Sequence, residues 1–413
     1  MQYRITKEDK SLKGEIILPS SKSISNRILI INSLSYSPYE IDNLSDSDDT
    51  RVMEVVLNSG TNHFDIGHAG TAMRFLTAFL SKIVGEWTLT GSERMRQRPI
   101  GILVDALRKL GASIEYTEKD GFPPLRIVGT ALKGGVIELD GSVSSQYISA
   151  LLMIAPTVQG GMTLKLLNQV TSKPYIELTL QLMKRFGVHY TWKGDEIRID
   201  EQMYHPEKFT VEADWSGASY WYAMAALSNE CDLLLKGLHL QSIQGDAAQS
   251  EWFSKHFGVH SKQEGNNVRL TKLNTPVPKR VEMDFIQNPD IAQTFAVLAV
   301  CRKIPFLFRG LATLKIKETD RIVALQAELS KFGATLTEPR NGELAWDGTF
   351  DQSLVQHPPV IETYHDHRMA LSFAPAALAY PEIIIDDPQV ISKSYPGYWD
   401  DLKKVGFRIT QNS

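Results

Sequence analysis

The sequence predicts a mixed α/β chain assembled from six similar subunits. Three observations predict it. A helix-ending pattern recurs six times: a basic or polar residue, then an apolar or small one, then glycine, with the glycines at 60, 111, 187, 258, 333 and 406. The gaps are 51, 76, 71, 75 and 73 residues, so five copies are evenly spaced. Alternating β-like residues follow each glycine. Finally, six peptides carrying Lys, Arg, Ser or His stand where helices begin, and a helix start is an anion site because its N–H groups are unpaired and partly positive.

In chain order, residues 20–27 (SSKSISNR) open the first helix. Ser20 or Ser21 caps it, and Ile24, Ile28, Ile31 and Leu34 form an apolar stripe at helical spacing. Lys22 in the first turn opposes the helix dipole, and binding an anion supplies a reason for it. Gly60 marks the first helix end. Residues 67–74 (GHAGTAMR) open a helix expected over 72–84, with Thr71 as its cap and two glycines that let a ligand approach. Arg94, Arg96 and Arg98 alternate before Pro99, as either an exposed basic loop or a bidentate anion site. After Gly111, residues 142–146 (SVSSQ) open a helix through Ile148, Leu151 and Leu152. Capping needs one serine, and the others offer donors to an oxyanion. Residues 171–175 (TSKPY) start the helix that ends at Gly187. A hairpin follows, 188–192 and 196–199 about a turn at Gly194, and the same device recurs at 259–263 with 268–271. Residues 317–321 (KETDR) precede Ile322, Leu325, Leu329 and Phe332. Glu318 and Arg321, three apart, are expected on one helix face, as an ion pair or a proton carrier beside a cation. Residues 334–336 and 343–346 are expected to form a hairpin about Gly342. Residues 366–369 (DHRM) open the last of the six starts; His365, Asp366 and His367 lack the further ligands a metal would need.

Composition excludes several classes. With 413 residues the chain is long enough for two or more domains, and 43% apolar and 22% charged content is ordinary for a globular protein. A net charge of −4 gives no basic excess, so no nucleic-acid partner is expected. The first residues, MQYRITKEDKS, contain no apolar core of a secretory signal, and no apolar run approaches the ~20 residues of a membrane span. Cys231 and Cys301 lack metal or redox spacing. A reduced cytoplasmic protein is expected. Six anion-binding starts in a chain of modest negative charge point to a small, multiply charged substrate.

The segments 18–27 (LPSSKSISNR), 69–74 (AGTAMR), 94–100 (RMRQRPI), 140–146 (DGSVSSQ), 317–321 (KETDR) and 366–369 (DHRM) resemble, in order, those of the EPSP synthase (3-phosphoshikimate 1-carboxyvinyltransferase) family. The resemblance implies a two-domain inside-out α/β barrel, each domain made of three βαβαββ units. It implies a first domain of residues 1–20 plus 213–413, a second of 21–212, and an active site in an interdomain cleft that closes on its ligands. The implied reaction moves the enolpyruvyl group of phosphoenolpyruvate to the 5-hydroxyl of shikimate 3-phosphate, through a tetrahedral intermediate, with no metal or organic cofactor. Asp290 is the implied base for that hydroxyl and Glu318 the proton shuttle, with Lys22 as a third catalytic residue. Shikimate 3-phosphate is implied to contact Lys22, Ser23, Arg27, Ser144, Ser145, Gln146, Ser172, Tyr175, Asp290, Thr313 and Lys317. Phosphoenolpyruvate is implied to contact Lys22, Gly70, Arg98, Gln146, Glu318, Arg321, His367, Arg368 and Lys393. A monomer is expected, with no nucleic acid or membrane partner. His68, Phe75 and Thr313 depart from residues usual in the family (Asn, Pro and Asn). The related enolpyruvyl transferase acting on UDP-N-acetylglucosamine usually carries a cysteine in the loop that here spans 94–98, and this loop has none. An inactive anion-binding scaffold would be expected to lose Asp290 and Glu318, which are present.

Overall fold

Helices that are apolar on every face are stable only when surrounded, and this chain has several. In the computed structural model, which describes residues 1–412, the chain forms two units. One spans Ser20–Val211; the other joins Met1–Pro19 to the chain from Glu212 onward. Ser413, the end point of the expected first domain, lies outside the described residues.

The Ser20–Val211 unit is built on helices α1 (Lys22–Leu34), α2 (Gly70–Leu80), α3 (Ser145–Ile154) and α4 (Lys173–Arg185). Every residue of α2 is buried, as is α3 from Tyr147 to Ile154. Helix α1 packs on α2, α3 and α4, and α3 also packs on α2 and α4. Sheets cover them. His63–Asp65 pairs in parallel with Glu86–Thr90, which is followed by antiparallel Leu125–Val128 and Ser113–Tyr116. Lys133–Asp140, Gln159–Leu167, Glu196–Ile199 and Thr191–Lys193 repeat that order. A short parallel pair joins Ile41–Asp42 to Phe209–Thr210.

The other unit follows the same plan with α5 (Trp215–Leu227), α6 (Ala292–Cys301), α7 (Arg321–Ser330) and α8 (His367–Phe373). Helix α6, buried from Ala292 to Val300, packs on the other three. Ser11–Ile17 pairs in parallel with Glu230–Lys236, which leads to antiparallel Asn267–Lys272 and Val259–Glu264. Val360–Ile361, Ile383–Asp386, Gln2–Thr6 and Arg408–Asn412 form a second such sheet. Val281–Asp284, Phe306–Arg309 and Leu344–Trp346 form a shorter one. No helix among the described residues is long and apolar enough to cross a membrane.

Five of the six marker glycines, 111, 187, 258, 333 and 406, take left-handed φ between +67° and +94°, the conformation that ends a helix at low cost. Gly60 does not: its helix, Asp48–Asn58, ends in extended Ser59. Four further expectations are corrected. The second basic helix starts earlier, with Ala69 at the N-cap and Thr71 inside, and it ends at Leu80 rather than 84. Residues Glu93–Arg96 form one helical turn capped by Ser92. Residues 334–336 form no strand, only isolated bridges from Ala334 to Phe350 and Thr337 to Ala345. Glu318 precedes α7, whose cap is Asp320, so it shares no helix face with Arg321.

Candidate active site

Ten of the predicted site residues lie on the Ser20–Val211 unit and eight on the other. On the first, helix starts converge through short polar contacts. Ser21 caps α1 by accepting from the N–H of Ile24 at 3.4 Å, which leaves Lys22 and Ser23, both half-buried, in the first turn. Ser144 caps α3 through the N–H of Gln146 at 3.3 Å, so Ser145 and Gln146 open that helix. The Gln146 side chain then donates to Thr71 Oγ1 at 3.2 Å, tying the start of α3 to that of α2. Gly70 is where Arg98 arrives: a Cβ built at 70 would lie 2.6 Å from Arg98 Nη1. Arg98 and Gln146 thus both reach the first turn of α2, one at Gly70 and the other at Thr71.

Arg27 is placed differently from a simple ligand contact. It is 3% exposed, and four of its five N–H groups are taken: Nε donates to Thr179 Oγ1, Nη1 to the Ser23 carbonyl, and Nη2 to Ser149 Oγ and the Tyr175 carbonyl. It pins α1, α3 and α4 together, and its guanidinium stands 5.4 Å from the centre of the Phe75 ring. Among the described residues no carboxylate pairs with it, and burial lowers its pKa to about 10, so it stays charged at neutral pH. Ser172, before α4, is a non-glycine residue at φ +54°.

On the second unit the cations are already matched. Asp290, in a turn ahead of α6, lies 3.3 Å from Lys317 Nζ, Arg321 Nη1 and Arg368 Nη2. Burial pushes its carboxyl pKa up, but Lys317, Arg368 and Arg321 outweigh that and hold it far below the usual carboxylate range. Glu318 accepts from Arg321 Nη2 at 2.9 Å and from Lys393 at 2.5 Å. Arg321 grips Asp366 with two groups, Nε at 2.7 Å and Nη2 at 3.2 Å. Asp366 also caps α8 through the N–H of Arg368 at 2.9 Å. Burial disfavours a charged Arg321, but Asp366, Glu318 and Asp290 outweigh it and raise its pKa. Arg368 reaches the hydroxyl of Tyr220 at 3.4 Å, and burial raises that phenol to about 12. His367 is buried beside Asp366 at 3.6 Å. Thr313 keeps a buried hydroxyl with no hydrogen-bond partner among the described residues. Among the described residues no three His, Cys, Asp or Glu side chains group to hold a metal ion.

The family model for EPSP synthase (3-phosphoshikimate 1-carboxyvinyltransferase) matches residues 6–60 and 57–402. A protein of Bacteroides fragilis called 3-phosphoshikimate 1-carboxyvinyltransferase is 54% identical over 410 residues, 99% of each chain. One of that name from Vibrio cholerae is 38% identical, across 95% of this chain and 97% of its own. The chain belongs to the EPSP synthase family. Its fold is the two-domain inside-out α/β fold of EPSP synthases: the Acinetobacter baumannii EPSP synthase superposes with a TM-score of 0.78 at 21% identity, covering 99% of this chain and 100% of that one. The enolpyruvyl transferase NikO of Streptomyces tendae superposes at 0.77 with 16% identity.

Sequence reasoning about this EPSP synthase family member missed the residues that hold the site in shape. Arg74 donates to the carbonyls of Gly70 at 3.1 Å and Pro99 at 3.2 Å, bracing the segment that carries Arg98. His68 Nδ1 lies 2.9 Å from Ser92 Oγ, on the same segment. Asp366, Asp246 and Tyr220 complete the environment of Arg321 and Arg368. Asp366 and Arg74 sat inside quoted motifs. Asp246 and Tyr220 lie in no motif and carried no local signal.

Proposed function

We propose that the protein transfers the enolpyruvyl group of phosphoenolpyruvate to the 5-hydroxyl of shikimate 3-phosphate, releasing phosphate. The observation that carries this reading is the Asp290–Arg321–Glu318–Lys393 network, two carboxylates fixed 3.3 Å and 2.9 Å from one arginine. The reaction needs a base for the hydroxyl, a proton donor for the methylene carbon, and fixed positive charge for two carboxylates and two phosphates.

In the addition step the hydroxyl oxygen bonds to C2 of phosphoenolpyruvate, its proton leaves, and C3 gains a proton. In the elimination step C3 loses a proton, the C2–O bond to phosphate breaks, and the vinyl ether forms. Glu318, between Lys393 and Arg321, is the group assigned to the C3 proton. Asp290 is assigned the hydroxyl proton. Three cations within 3.3 Å make it a weak base without ligand. An anionic substrate that draws Arg321, Arg368 and Lys317 to itself weakens that hold and raises the basicity of Asp290, so proton removal is linked to occupancy. Gly70, Arg98 and Gln146, on the Ser20–Val211 unit, are assigned to phosphoenolpyruvate. Lys22, Ser23, Ser144, Ser145, Ser172 and Tyr175 bind shikimate 3-phosphate, and Thr313, with its unsatisfied hydroxyl, binds a substrate oxygen. Arg27 supports this set and offers its one remaining N–H.

The test is phosphate release from phosphoenolpyruvate with EDTA present, offering shikimate 3-phosphate and UDP-N-acetylglucosamine separately. Release with shikimate 3-phosphate alone is expected. Release with only the sugar nucleotide, or with neither, would sink the assignment.

A further inference from the structure

The unit that contains Glu212 onward holds a cavity of about 300 Å³ that the reaction above does not use. Its walls are apolar and flat: Phe332 and Tyr380, edge to face with ring centres 4.7 Å apart, with Val355 and the rings of Pro358, Pro359 and Pro381. Its polar lining comprises Lys331, Gln356, His357, Tyr380 and Glu382, and Lys331 and Tyr380 offer spare donors. Lys331 Nζ uses two N–H groups, on Glu328 Oε2 at 2.6 Å and the Val360 carbonyl at 2.7 Å, and has a third. The Tyr380 hydroxyl makes no hydrogen bond within the described residues, and burial pushes its pKa up, keeping the phenol a donor. The one carboxylate on the lining, Glu382, is taken by Arg4 at 2.5 Å. At about 30 Å³ per water-sized atom the volume holds roughly ten non-hydrogen atoms.

We propose that this cavity is a second small-molecule site, taking a single-ring aromatic carboxylate whose ring lies among Phe332, Tyr380 and the prolines and whose carboxylate accepts from Lys331 and Tyr380. The lining is tied to the anion cluster by a buried carboxylate. Glu328, 1% exposed, holds Lys331 and also accepts from the N–H of Glu362 at 3.0 Å and the Tyr364 hydroxyl at 2.8 Å. Tyr364 and His365 are consecutive non-glycine residues at φ +54° and +55°, immediately before Asp366. Strained backbone of this kind persists only where its surroundings hold it, so an occupant that fixes Lys331 also steadies the segment leading to Asp366.

Ligand-observed NMR on the full chain tests the site without reference to turnover. Benzoate is expected to bind saturably, benzamide more weakly and acetate not at all. Tyr380→Phe should weaken benzoate binding about threefold to tenfold, the effect of one hydrogen bond. Gln356→Trp, at an exposed position on the lining, should abolish it while phosphate release continues. Absence of saturable benzoate binding, or binding unchanged in both variants, overturns the proposal. The link to Asp366 is read separately: benzoate should slow hydrogen exchange at the Glu362 amide at least twofold, and unchanged exchange with the site filled removes the link.

Discussion

Arg27 shows how one residue reconciles two demands. A buried guanidinium without a carboxylate is costly, yet here four neutral oxygens and the Phe75 ring support it, so the charge survives burial. Gly70 makes the opposite point, since its lack of a side chain is its function. Gly70→Ala should push the Arg98 head aside and raise the KM for phosphoenolpyruvate about tenfold, equivalent to about 1.4 kcal/mol, with a smaller change in kcat. An unchanged KM would mean that Arg98 does not bind that substrate. At the acid–base pair, Asp290→Asn and Glu318→Gln should each lower kcat by about 10²- to 10⁴-fold. Asp290→Asn should leave phosphoenolpyruvate affinity intact or tighter, because it removes a competitor for Lys317, Arg321 and Arg368. If either variant kept kcat near wild type in single-turnover assays, that assignment would fail.

At the scale of elements, most candidate site residues stand at or near helix starts, where caps and ligands compete for the same N–H groups. Asp320 satisfies two at the start of α7, those of Ile322 at 3.1 Å and Val323 at 3.2 Å, and so fixes Arg321 at the first helical position. Asp320→Ala should lower unfolding free energy by about 1 kcal/mol in urea denaturation. It should also raise KM more than it lowers kcat, since Arg321 is loosened rather than removed. Loss of stability with kinetic constants unchanged would confine Asp320 to capping. The motifs showed where these starts fall because capping residues and basic residues are adjacent in sequence. They did not show that Glu318 lies outside its helix, since Asp320 rather than Ser or Thr supplies the cap two residues later. Nor did they show that residues 93–96 form a helical turn, which Ser92 decides by capping Met95.

The whole molecule places like charges against unlike ones, and this sets its response to acid. Asp290 is held below the usual carboxylate range, so the folded state resists its protonation more than the unfolded state does. Its stabilising contribution is complete above an unfolded pKa of about 3.9 and is lost below it, at up to about 1.4 kcal/mol per pH unit. Asp290→Asn should therefore be less stable than wild type at pH 6, and the gap should narrow as the pH falls below about 4. A constant gap in urea midpoints across that range would show that the cations do not act through this carboxylate.

The sequence by itself determined the α/β class and most of the helix starts, and it named the candidate anion-binding groups. These depend on spacing, capping chemistry and glycine conformation, which are local. Five glycines behaved as their positions required, and the exception, Gly60, follows a helix that ends in extended backbone at Ser59. Only the tertiary structure decided which charges meet. Arg321 draws Asp290 and Asp366 from positions 31 and 45 residues away in the chain, and Arg27 reaches Ser149 and Thr179 across 122 and 152 residues. No local pattern encodes such pairings, because whether a cation is balanced depends on what folding brings within a few ångströms in a medium that screens poorly.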